Sequence, residues 1–149
     1  ETAWLAQRDA EILGNPIKIK KLKRMALKLT DFSYKNSLDN NKSMFYEAEP
    51  NGISKPNKDW WVQAEAVVGY LNAYQLTGDQ KYFDVVQNIW QFIEDYVVDK
   101  RGGEWFSTID AKGSYDKTKF KVSEWKCPYH NSRACIEIIQ RLDQIAKKA

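Results

Sequence analysis

A helix that is apolar on nearly every side can exist in water only if other elements surround it, and one such helix dominates this chain. Between Asp59 and Gly78 runs WWVQAEAVVGYLNAYQLT, where Trp61, Ala64, Val67, Val68, Leu71 and Tyr74 spread around the helical wheel. With no continuous polar face, this segment reads as an inner, buried helix. The pattern therefore asks for an all-α domain built around it. Its one charged residue, Glu65, is out of place there.

Glycine positions organise the rest. Residues Thr2 to Leu13 read as a helix stopped by Gly14-Asn15, with Pro16 just beyond. Gly14 and Gly78 lie 64 positions apart, and each precedes a helix of outer type and a long connection. From Ile17 the residues Ile19, Leu22, Met25, Ala26, Leu29 and Phe32 keep helical spacing, opposite a face of Lys18, Lys20, Lys21, Lys23, Arg24 and Lys28. That basic face reads as solvated rather than as a nucleic-acid patch. From Asp79 to about Val98 an amphipathic helix follows through Phe83, Val86, Ile89, Trp90, Ile93 and Val97. A fifth helix opens at Asn131 or Ser132 and carries Cys135, Ile138, Ile139, Leu142 and Ile145.

The repeating unit is inner helix, outer helix, loop. Such units need neighbours to cover their apolar faces, so two and a half of them form an open stack or part of a closed ring. Two long connections complete the plan. Residues 36–58 hold a short extended piece at Met44–Glu49, and residues 102–129 contain GGEWFSTIDAKGS, readable as a hairpin. Loops this long in a helical domain are usually functional.

The whole chain, 1–149, reads as a single domain, since 149 residues suit one hydrophobic core. A net charge of +3 is too small to imply a nucleic-acid or anionic-membrane partner. No apolar run approaches the roughly 18 residues of a membrane helix, and ETAWLAQRDAE does not read as a signal peptide. Cys127 and Cys135 do not make a disulfide framework or a zinc spacing, so a reduced, cytoplasmic protein is expected. Neither a phosphate-binding glycine loop, a serine-nucleophile motif nor a metal cluster is present. Aromatic residues, by contrast, reach 13% of the chain, including six Trp. Flat apolar faces with polar edges suit sugars, although core packing explains most single aromatics.

The repeat also aligns chemistry. Glu1 and Glu65 each stand 13 residues before a helix-ending glycine, and advancing 65 from Glu65 reaches His130, the only histidine. These three should therefore share one end of the inner helices. His130 precedes a predicted helix start, where the positive end of the dipole favours a neutral ring able to accept a proton. Glu65 is open to two readings: a buried salt bridge with Arg133, or an acceptor that holds sugar hydroxyls or orients the histidine. Trp60 and Trp61 point about 100° apart on a helix, so at least one faces its mouth. Trp125 and Trp105 sit in loops, where core packing is a weaker explanation. Trp90 reads as core.

Three motifs together, WWVQAEAVVGYLNAYQLTGD, GGEWF and WKCPYHNSRACIEII, resemble the cellobiose 2-epimerase branch of the N-acylglucosamine 2-epimerase family. The likeness runs over essentially the whole chain and matches the C-terminal portion of such a protein. It implies an (α/α)6 barrel and inversion at C2 of the reducing-end glucose of a β-1,4 disaccharide. Neither metal nor nucleotide cofactor is implied. An N-acylglucosamine 2-epimerase, a mannose isomerase or a non-catalytic carbohydrate-binding fragment are the alternatives. By resemblance, His130 is one of two catalytic histidines and Trp125 a stacking tryptophan. Trp61 and Glu65 match a sugar-site pair, while the opening Glu1-Thr-Ala-Trp4 continues a His-x-x-Glu segment, with Glu1 as its Glu, catalytic alongside His130, and Trp4 as a further aromatic of the substrate site. The chain begins after that segment's histidine, and an arginine from the family's N-terminal half is absent as well. The resemblance thus leads to two expectations: the 149 residues alone are silent, and their uncovered flanks self-associate or bind the missing helices.

Overall fold

The computed structural model describes residues 1–40 and 43–147, so positions 41 and 42 of the first long connection lie outside the described residues. Five helices follow in chain order: α1 (Thr2–Ile12), α2 (Pro16–Asn36), α3 (Trp60–Thr77), α4 (Gln80–Phe92) and α5 (Tyr129–Ala146). α4 ends in one π-helical turn, Ile93–Val97. Short strands lie in the connections, β1 (Glu47–Glu49) against β2 (Gly52–Lys55) and β3 (Lys58–Asp59) against β4 (Thr108–Ile109), both antiparallel.

α3 is the centre of the molecule. Every residue from Val62 to Ala73 is buried, as an all-round apolar pattern requires. α4 covers one side through Tyr82, Val85, Val86, Ile89 and Phe92, while α5 packs on another and α1 contributes Trp4. The two helix pairs α1/α2 and α3/α4 turn at Gly14 and Gly78, whose φ of 65° and 69° place both in the left-handed region that favours glycine. α2 starts on Asn15, whose Oδ1 accepts from the backbone N–H groups of Ile17 and Lys18, with Pro16 at the first helical position. No described helix is long and apolar enough to cross a membrane.

Three sequence expectations are corrected, whereas the hairpin reading of GGEWFSTIDAKGS holds in part. Ile109 pairs antiparallel with Tyr115 across a turn in which the Asp110 N–H donates to the Ser114 carbonyl, while Thr108–Ile109 also joins Lys58–Asp59 and Val98 bridges to Trp105. Trp105 is consequently buried in the core rather than displayed in a loop. α5 begins at Tyr129, ahead of Asn131, because Pro128 occupies the capping position and the Asn131 side chain is bonded elsewhere. The apolar stripe of α2 is mostly uncovered: Ala26 is buried, whereas Ile17 is 82% and Phe32 66% exposed. Ile136, Ile139 and Leu142 of α5 form a second exposed apolar strip.

Candidate active site

Glu65 is the hub. It lies in the second turn of α3 and is only 2% exposed. Its Oε2 accepts from the Trp4 indole N–H at 2.9 Å, and its Oε1 lies 2.7 Å from His130 Nδ1 and 2.5 Å from Arg133 Nη2. The same Arg133 nitrogen donates to Glu1 Oε1 at 2.6 Å. Three helices thus converge: the N-terminal end of α1 brings Glu1 and Trp4, α3 brings Glu65, and the first turns of α5 bring His130 and Arg133. The salt bridge to Arg133 and the contact with the histidine coexist, because one carboxylate oxygen serves both.

The electrostatics follow from that sharing. Burial pushes the Glu65 carboxyl up, but hydrogen bonds from His130, Arg133 and Trp4 outweigh it and hold it below the ordinary carboxylate range. Burial likewise lowers the Arg133 guanidinium, and its bonds to Glu65 and Glu1 more than restore it. An ionised carboxylate only accepts, so Nδ1 of His130 is the nitrogen that carries the proton. A neutral ring in that tautomer keeps Nε2 as a free acceptor.

Aromatic rings frame the imidazole. Trp60 meets it edge-on with centroids 5.4 Å apart, Tyr129 at 5.0 Å and Trp61 in a tilted arrangement at 5.7 Å. Trp60 is buried while Trp61 is half-buried, so the pair divides as helical geometry requires. Trp61 and Glu65 also border a cleft of about 330 Å³, with Glu1, Phe32, Tyr46 and Tyr70 among its walls. The Tyr46 ring stands perpendicular to that of Trp61 at 6.1 Å.

The expected convergence is met by Glu1, Trp61, Glu65 and His130. Trp4 also arrives, but it is 2% exposed with the Arg133 and Arg141 guanidinium groups 5.2 and 5.8 Å from its ring centre. It therefore fixes Glu65 through its N–H rather than offering a face to a ligand. Trp125 does not join the site. It is 89% exposed, and its backbone N–H donates to Ser123 Oγ. The reason is local: Ser123 and Lys126 exchange both backbone hydrogen bonds, which puts Trp125 at the tip of a tight turn. Sequence reasoning placed Arg133 only as a salt-bridge partner and overlooked Tyr46. The i, i+3 spacing of His130 and Arg133 on one helix face carried the signal for the arginine.

Donor atoms of Glu1, Glu65 and His130 lie within 4.8 Å of one another, a spacing compatible with a metal ion. Arg133 Nη2, however, already bridges both carboxylates. A guanidinium in that position supplies the positive charge a cation would bring and repels a second one. The donor set fits an ion-paired cluster better than a metal centre.

Comparison with known proteins gives a consistent picture. The profile of the family described as N-acylglucosamine 2-epimerase (GlcNAc 2-epimerase) matches residues 1–134. A cellobiose 2-epimerase of Ruminococcus albus is 40% identical over 146 residues, covering 95% of this chain and 36% of that protein. One from Dictyoglomus turgidum is 39% identical over 144 residues, again 95% and 36%. A crystal structure of a sugar epimerase from a ruminal bacterium superimposes with a TM-score of 0.88 at 38% identity, over 93% of this chain and 36% of that one. The fold is accordingly a portion of an (α/α)6 barrel, and the chain spans about a third of the length of the relatives it matches.

Proposed function

Because the chain belongs to the N-acylglucosamine 2-epimerase family, we propose that it forms part of a sugar 2-epimerase acting on the reducing-end glucose of cellobiose-type β-1,4 disaccharides. One observation carries this reading: His130 Nδ1 is held by the Glu65 carboxylate at 2.7 Å, leaving Nε2 as an acceptor on a ring whose centre lies 5.7 Å from that of Trp61. In the ring-opened sugar the C2 proton is acidic because the C1 carbonyl accepts the electron pair as an enediolate. His130 Nε2 takes or returns that proton on one face. A second histidine, from outside these 149 residues, serves the other face, and the C2 configuration inverts. Trp61 supplies an apolar face for the sugar ring, and Glu1 orients Arg133 and the charge beside the reacting carbons. Trp125, in this reading, stacks on the substrate only once a sugar or another segment covers it.

The reaction as proposed needs no metal or nucleotide and involves neither nucleic acid nor membrane. The two free thiols, Cys127 and Cys135, favour a cytoplasmic enzyme of carbohydrate metabolism. The test is a substrate panel offered to the protein as it occurs naturally. Chromatography should show cellobiose converted to its C2 epimer in preference to reaction of mannose or N-acetylglucosamine. Conversion of mannose to fructose with cellobiose untouched overturns the disaccharide assignment.

The exposed apolar strips of α2 and α5 bear on assembly. Contiguous apolar patches beyond a few hundred Å² (roughly) are rare on soluble monomers. The 149 residues in isolation are therefore expected to self-associate, with light scattering showing a mass that rises with concentration. A monodisperse monomer at high concentration contradicts this.

A further inference from the structure

We infer that Lys126 and Glu104 form a buried positioning pair that holds His130 in its proton-transfer geometry from behind, through Trp60 and Asn131. Lys126 is only 3% exposed, which an ammonium tolerates only when every proton has a partner. Its Nζ lies 3.0 Å from Glu104 Oε1, 2.8 Å from the Lys121 carbonyl and 4.6 Å from the centre of the Trp60 ring. Two hydrogen bonds and one aromatic face account for all three N–H groups.

Each partner leads to the histidine. Trp60, pressed on one side by the ammonium, meets the His130 imidazole edge-on at 5.4 Å. Glu104 Oε1 also accepts from Asn131 Nδ2 at 3.0 Å, and Asn131 is the residue after His130. The carboxylate therefore pins the first turn of α5 while Lys126 pins the indole. Glu104 sits at φ 60°, the one non-glycine among the described residues in the left-handed region. A side chain tolerated in that conformation points to a requirement for its carboxylate. Burial pushes that carboxyl up, but the bonds from Lys126, the Trp105 N–H and Asn131 hold it low, so it stays charged.

This inference rests on the proposed role of His130, and the experiment separates the two. The natural protein is labelled with ¹⁵N-histidine, and the His130 resonances are assigned by their loss in His130→Asn. In Lys126→Met, still folded by circular dichroism, the His130 Nδ1 resonance should move from the protonated position toward the tautomer average. The kcat for cellobiose should fall about tenfold or more, with KM changed less than about twofold. Glu104→Gln, which keeps an oxygen for Lys126 and Asn131, should move both readouts the same way by less, and Lys126→Arg should recover part of the loss. If Lys126→Met does not fold, Glu104→Gln decides by the same criteria. Unchanged His130 resonances with an unchanged kcat, in folded variants that are merely less stable, overturn the positioning role. A natural protein without epimerase activity overturns the proposed function instead, while the resonances still judge the pair.

Discussion

Replacing His130 by Asn in the natural protein should lower the kcat for cellobiose epimerisation by about 10²–10⁴-fold, the usual contribution of one general acid–base group. KM should change little, because the interaction lost is one made in the transition state. Asn suits the test since its amide can still donate to Glu65, so the carboxylate and Arg133 keep their partners and the fold survives. Only the Nε2 acceptor disappears. By the same count of proton carriers, the 149 residues in isolation, with one histidine, should give no conversion above background. Conversion is followed chromatographically, with circular dichroism reporting the fold. An unimpaired His130→Asn protein, or clear turnover by the isolated chain, refutes a mechanism with a histidine on each face.

The inner framework of this site was legible because it rests on periodic and local signals. α3 declares itself by lacking a polar face, and Gly14 and Gly78 declare the ends of α1 and α3 by the left-handed turns they make. Equal spacing then carries Glu1, Glu65 and His130 to one end of the layer. Signals with no period were not legible. Two-residue strands such as β3 and β4 leave no alternation to read, so the pairing of Thr108–Ile109 with Lys58–Asp59 was not foreseen. The start of α5 was misplaced because Asn131, a good capping residue by type, gives its side chain to Glu104, 27 positions away. Burial of Trp4 and Trp105 and exposure of Trp125 depend on how distant loops fold back, which residue type alone does not specify.

The largest stability effect is expected at Glu65, where Glu65→Gln removes the one charge shared by Arg133 and His130. Hydrogen bonds to charged groups contribute about 1.5–3 kcal/mol each. Arg133 is 20% exposed and keeps Glu1, so part of its interaction survives, and a net loss of about 2–3 kcal/mol at pH 7 is expected. The effect carries a pH signature. Because the folded-state pKa of Glu65 lies below its ordinary value of 4.5, the unfolded chain binds the proton more readily than the folded one. The carboxylate's contribution is therefore fully present above about pH 4.5 and is lost as pH falls through the lower, folded-state value. Gln does not titrate. Urea unfolding of the two proteins across the acid range should show a stability gap that is constant from neutral pH down to the ordinary carboxylate range and then closes. Activity should fall as well, by about 10²-fold or more, because without the carboxylate the imidazole is free to place its proton on Nε2 and lose its acceptor. A gap that persists unchanged into strong acid would show that Glu65 is not the ionised hub of the site, and the tautomer of His130 would need another cause.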